Sequence, residues 1–173
     1  MPFTELKTSA LESISRNEDK GWILEDGKRV ISFRLPTFQA LVEKLVAMAG
    51  SKVGTTILYQ LGNEIGRTGL RYSKDRIMAD NMTKVIDDVI RVRGWGRCIA
   101  LEKNEKNDKA TYAFTMSECP LCFERKTAEP ACDFMRGIVT GWMEEFLGVK
   151  SSLSVEKECA GVGGKFCIFE ITF

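Results

Sequence analysis

Histidine is absent from all 173 residues, and that absence removes several kinds of site at once. An imidazole-based catalytic triad, a histidine-ligated haem and a zinc site containing histidine are all excluded. Any metal must be held by Cys, Asp or Glu. An excess of one charge is missing too: 25 Lys+Arg stand against 24 Asp+Glu. The chain therefore offers neither the basic field that nucleic acid attracts nor a polybasic membrane anchor. No apolar run approaches the roughly 20 residues of a membrane span, and Met1 to Lys7 form no apolar leader core. These absences lead to the expectation of a cytoplasmic protein that binds neither nucleic acid nor membrane. Internal repeats and low-complexity segments are also lacking, and the length suits one domain over 1–173, with 1–20 as a loose N-terminal arm.

Cysteine, by contrast, is plentiful, with six in the chain. Without an export signal the expected state is thiol rather than disulfide, and cytosolic thiols in groups bind metal or do chemistry.

The periodicities predict an α/β protein of the α+β type. Trp22 to Phe33 reads as a hairpin turning at Asp26-Gly27. After Pro36, the apolar residues Phe38, Leu41, Val42, Leu45, Met48 and Ala49 share one helical face, and Gly50 stops the helix. A second helix from Lys52 to about Tyr72 carries an apolar row, Val53, Ile57, Leu61 and Ile65, beside a groove left by Gly54, Gly62 and Gly66. Each glycine costs a helix interior about 1 kcal/mol relative to alanine, so another backbone or a ligand is expected in that groove. A third helix covers about Asn81 to Arg93. Arg97 to Lys103 and Ala110 to Met116 alternate as strands around the polar turn 104–108. A fourth helix starts near Pro130, with Cys132, Met135, Val139, Trp142 and Phe146 on its apolar stripe. Leu153, Val155, Phe169 and Ile171 mark two final strands. The four long strands are expected to form an antiparallel meander flanked by helices, the fourth helix crossing between its second and third members.

Two metal sites compete within this framework. Cys132, near the positive end of the fourth helix, could join Glu156, Cys159 and Cys167 of the last hairpin, giving three thiolates and a carboxylate for a structural zinc. Glu156 and Cys159 are an odd number of residues apart, so a bulge or strand end must separate them if both are to face one ion. Alternatively Cys119 and Cys122, a C-x2-C, could pair with the hairpin cysteines as in a zinc ribbon. A thioredoxin-type redox role for the C-x2-C lacks its βαβ setting. Cys98, alone in a strand, reads as a small buried apolar residue.

The segments 131–141, from Ala131-Cys132-Asp133-Phe134 to Gly141, then Val155-Glu156-Lys157-Glu158-Cys159, then Gly163-Gly164-Lys165-Phe166-Cys167-Ile168-Phe169-Glu170-Ile171, resemble the signature of the 4-vinyl reductase domain family. Weaker similarity runs upstream through Arg93-Gly94-Trp95-Gly96-Arg97 and the glycine-bearing helix, to about residue 20. Relatives in that family include proteins linked to bacteriochlorophyll 4-vinyl reduction, aromatic-sensing domains of bacterial phenol and toluene regulators, and distant subunits of a vesicle-tethering complex. The resemblance implies a ligand-binding domain of the NO-signalling and Golgi-transport type, commonly dimeric, with an antiparallel sheet and helices around an apolar pocket. It also implies a structural zinc on Cys132, Glu156, Cys159 and Cys167, and so prefers this set over one using Cys119 and Cys122. The C-x2-C departs from the family pattern.

The function expected is a zinc-stabilised domain that binds a hydrophobic or aromatic small molecule as sensor or carrier, with Phe38, Trp95, Phe134 and Trp142 as candidate pocket residues. A separate effector protein would receive its signal. A reductase of a tetrapyrrole vinyl group is the alternative, but no Gly-rich dinucleotide fingerprint follows a strand: Gly161-Val162-Gly163-Gly164 falls in a hairpin. A dimerisation or assembly scaffold is the third reading, which an apolar surface on the first two helices would favour.

Overall fold

A computed structural model of the chain describes residues 14–25, 27–71, 82–106 and 109–173. They form two compact units, one ending at Phe38 and the other spanning Gln39–Phe173. In the first, β1 (Ile14–Asn17), β2 (Trp22–Glu25) and β3 (Lys28–Val30) make an antiparallel sheet in that order. The expected hairpin is present, with Gly27 at φ 74°, but its pairing ends at Val30 rather than Phe33. Asp26 lies outside the described residues. Part of the sequence assigned to a loose arm is strand: β1 pairs along β2 from Ile14 to Asn17.

Helix α1 (Leu35–Ala49) runs from the first unit into the second, with Pro36 in its first turn, where a missing N–H costs nothing. α2 (Ser51–Arg71) follows, then α3 (Met82–Val92). In the second unit β4 (Arg97–Lys106), β5 (Lys109–Ser117), β6 (Leu153–Glu158) and β7 (Cys167–Thr172) form the four-stranded antiparallel sheet, with α4 (Asp133–Leu147) between β5 and β6. The strand order is β4-β5-β7-β6, so the expected meander is incorrect. β7 sits inside because Cys167, Phe169 and Ile171 are all buried and need cover from both neighbours; β6, with exposed Leu153 and Lys157, takes the edge. The first long hairpin is also tighter than its sequence implies. β4 and β5 stay paired out to Lys106 and Lys109, so 104–106 are strand, and residues 107–108 lie outside those described.

The glycine groove of α2 is filled by another backbone, that of α4. A Cβ on Gly62 would stand 2.1 Å from the Phe134 carbonyl oxygen, and one on Gly66 2.1 Å from that of Ile138. The relation is reciprocal: a Cβ on Gly137 would meet the Tyr59 carbonyl at 2.2 Å and one on Gly141 the Asn63 carbonyl at 2.1 Å. Two glycine pairs one turn apart therefore let the helix axes approach closely. α4 is buried almost all round from Phe134 to Glu144, as the helix between α2 and the sheet must be. Asn63, buried on α2, donates to the Glu144 carboxylate at 3.3 Å, and Lys150 and Ser151 complete that acid's partners.

Burying the glycine face turns the neighbouring row of α2 outward. Val53, Ile57, Leu61 and Ile65 are 55%, 38%, 46% and 47% exposed, and Leu41 and Met48 of α1 are exposed as well. No helix among the described residues is long and apolar enough to cross a membrane.

Candidate metal centre

Five of the six cysteines converge. Cys119 and Cys122 stand on the loop after β5, where the Cys122 amide donates to the Cys119 carbonyl at 3.0 Å and the Phe123 amide to the same oxygen at 2.8 Å. This tight turn directs both thiols inward, and both are buried. Cys132 is the N-cap of α4 rather than a first-turn residue, its carbonyl accepting from the Arg136 amide at 2.8 Å. Its thiol still lies at the end where free N–H groups and the helix dipole favour a thiolate. Cys159 directly follows β6 and caps a short 3-10 turn over Ala160–Val162, and Cys167 opens β7 beyond it.

The geometry required of Glu156 and Cys159 is present. The β6 to β7 register slips between Glu156 and Glu158, and the strand ends there, so side chains three residues apart reach one side. Cys132, Glu156, Cys159 and Cys167 place one donor atom each within 4.8 Å of one another, and so do Cys119, Cys122, Cys132 and Cys167. These two groups share Cys132 and Cys167; the second differs from the zinc-ribbon set expected from the sequence, since Cys132 stands in it where Cys159 was expected. Sequence reasoning missed that the C-x2-C and the helix cysteine would meet. The available signal was the spacing of Cys122 and Cys132, ten residues, which a loop can fold back on itself.

Cys132 is the hub of the cluster. Its sulfur lies 2.7 Å from that of Cys122, 3.4 Å from Cys119, 3.7 Å from Cys167 and 3.8 Å from Cys159. Cys122 is 3.3 Å from Cys159 and 3.9 Å from Cys167. The Ala160 amide donates to the Cys167 sulfur at 3.4 Å, and Cys132 donates its amide to Glu156 Oε2 at 3.1 Å. Glu156 Oε1 is buried without a hydrogen-bond partner. Gly161 lies against the cluster: a Cβ there would stand 3.4 Å from the Cys122 sulfur and 3.5 Å from that of Cys159.

Such crowding splits the acidities of the thiols. Hydrogen bonding with Cys132 holds Cys159 down at about 5 despite burial. Cys167 is held well below the ordinary thiol value by Cys119, Cys122 and Cys132. Cys132 is raised by hydrogen bonding with Cys119, Cys122, Cys159 and Cys167, with burial adding. Cys122 is raised by its hydrogen bond with Cys119, by Cys167 and by burial. Burial, then the neighbouring Cys159, pushes Glu156 up to about 8. Thiols this close cannot all ionise together in a dry site unless a cation neutralises them. The four buried cysteines of one set could therefore bind a metal ion.

Cys98 stays apart, in β4, with its amide donating to Asp87 at 2.9 Å and its thiol pushed up to about 12 by burial. Of the aromatic residues, Trp95 and Phe134 meet, with ring centroids 5.9 Å apart. Trp142 is buried two turns further along α4, roughly 12 Å on. Phe38 is half-buried in the first unit.

No family model matches the chain, and no curated protein matches it. Solved structures do share its fold, and two of them are informative. The phenol-responsive sensory domain of the transcription activator PoxR, solved with phenol, superposes with a TM-score of 0.75 at 16% identity, over 98% of this chain and 91% of that one. A vinyl-4-reductase family protein from Methanocaldococcus jannaschii gives 0.54 at 22% identity, over 82% of each chain. Both are of the kinds that the C-terminal motif resembles.

Proposed function

We propose that this chain is a zinc-clasped small-molecule-binding domain, a cytoplasmic sensor or carrier for a hydrophobic or aromatic ligand. The observation that carries the reading is the likeness, across 98% of the chain, to a sensory domain that responds to phenol. Zinc is the metal that suits a closed set of buried thiolates, and four protein ligands leave it no open position for substrate, which makes it a clasp rather than a catalyst. The ligand would lie between helices and sheet, with the Trp95 and Phe134 rings as its aromatic wall and Trp142 as a further candidate. With no histidine in the chain, a phenolic hydroxyl would find its partner in other polar groups.

The test combines native mass spectrometry of freshly isolated protein with titration of phenol, followed by tryptophan fluorescence. A co-purifying apolar molecule, or saturable binding that Trp95→Leu weakens at least tenfold, is the expected result. Turnover of a vinyl tetrapyrrole by protein and added reductant would favour the reductase reading instead, and absence of any bound or binding small molecule would end the sensor reading.

A second reading, compatible with the first, is homodimerisation through α1 and α2. It is favoured by the exposed row Val53, Ile57, Leu61 and Ile65, since monomers rarely leave so continuous an apolar stripe in water.

A further inference from the structure

If the zinc clasp just proposed is present, its fourth ligand is open to choice, because six donors surround a position that needs four. We infer that the ion is held by Cys122, Cys132, Cys159 and Cys167, with the C-x2-C cysteine Cys122 taking the place that the resemblance gives to Glu156. A tetrahedral ion with metal–sulfur bonds of about 2.3 Å sets its sulfurs about 3.8 Å apart. Among these four sulfurs, Cys132 to Cys159, Cys132 to Cys167 and Cys122 to Cys167 measure 3.8, 3.7 and 3.9 Å. Cys122 to Cys159 and Cys122 to Cys132 are closer, at 3.3 and 2.7 Å, so the Cys122 and Cys132 sulfurs would part by about 1 Å on taking up a tetrahedral ion. Cys122 thus lies within 3.9 Å of all the other three sulfurs, joining both hairpin cysteines as well as Cys132.

Glu156 has a different task in this arrangement. Its Oε2 already accepts the Cys132 amide at 3.1 Å, which fixes the backbone that presents the Cys132 sulfur. It is a positioning residue, and four thiolates on a divalent ion leave the same net charge of about minus two as three thiolates and a carboxylate. What changes is the number of segments tied together. A site without Cys122 joins the start of α4 to the last hairpin; one with it also clamps the loop 119–127, whose Thr127 amide donates to the Gly161 carbonyl at 2.8 Å. That loop meets α1 through Gln39, which donates to the Pro120 carbonyl at 2.8 Å, and through the Arg125 to Glu43 ion pair. The ion would therefore brace α1 as well as the sheet.

The experiment is X-ray absorption at the zinc edge of the protein as purified, together with optical spectra after Co2+ replaces the zinc. Four sulfur scatterers near 2.3 Å, with no oxygen near 2.0 Å, are expected. Cys122→Ser should lower the sulfur-to-cobalt charge-transfer absorbance by about a quarter, one thiolate of four, while Glu156→Gln and Cys119→Ser leave it unchanged. A first shell of three sulfurs and one oxygen, or a spectrum that changes with Glu156→Gln but not with Cys122→Ser, would overturn the assignment while keeping the clasp. Protein that binds neither zinc nor Co2+ would overturn both. The absorption measurement needs no variant, so a Cys122→Ser chain that fails to fold leaves the question decided.

Discussion

A single methyl group separates tolerated from ruinous change at the glycines of α2. At Gly66 the added carbon would stand 2.1 Å from the Ile138 carbonyl oxygen, a backbone atom that cannot swing away. Gly66→Ala is therefore expected to destabilise the protein by about 3 kcal/mol or more, overwhelming the roughly 1 kcal/mol that alanine gains in helix propensity. At Gly69, one turn on, the nearest atom is the tip of Trp142 at 3.8 Å, so Gly69→Ala should be neutral or stabilising by up to about 1 kcal/mol. Denaturant midpoints of the two variants check this, and equal midpoints would remove the helix contact from the account. The glycines were conspicuous in the sequence, which could not say what approached them. The answer needed the second pair, Gly137 and Gly141, whose spacing matches the first and which sequence reading of α4 passed over. Cysteine shows the same limit: thiols announce a site, but which four converge depends on loops that no spacing rule fixes.

At the scale of elements, α4 is held by its buried acid as well as by its packing. Burial alone would raise the Glu144 carboxyl, but Lys150, the amide and hydroxyl of Ser151, and Asn63 outweigh it and hold the group below its ordinary value. A carboxyl depressed in the folded state contributes stability above its unfolded pKa of about 4.3 and loses that contribution as pH falls through the lower folded value. Glu144→Gln should thus cost about 1 kcal/mol at neutral pH, with the gap to the parent closing as the solution is acidified below about pH 4. A gap that is constant from pH 7 to pH 3 would mean that charge at Glu144 contributes nothing. Elements with a clear period were legible: α1 and α2 start and stop within a residue or so of their expected ends, because Gly50 and the apolar spacing are local signals. Strand order was not. β7 pairs with β5 across a stretch containing a whole helix, and only the competition between β6 and β7 for the buried position decides it.

For the whole molecule, the exposed row on α2 sets the expectation of a dimer. Val53, Ile57, Leu61 and Ile65 recur every four residues over about 18 Å of helix, and a second copy would bury them against the same row in a symmetric contact. Sedimentation should find a dimer for the parent and a monomer for Leu61→Glu, with metal content unchanged because Leu61 is not among the donor groups. A parent that sediments as a monomer at tens of micromolar would refute the dimer reading. The same row shows how an amphipathic pattern can mislead. Its hydrophobicity marks a face that wants cover, yet within one chain the glycine face wins α4, since only there can two backbones meet.

From the sequence by itself follow the absence of histidine chemistry, the helices and strands with strong periods, and a C-terminal group of donors suited to one soft metal. These are properties of residue type and of spacing within a turn or a strand. The order β4-β5-β7-β6, the closing of the glycine groove by α4, the exposure of the α2 row and the meeting of the C-x2-C with Cys132 belong to the tertiary structure. Each depends on which distant surface outcompetes another for burial, a balance of long-range contacts that local pattern does not encode.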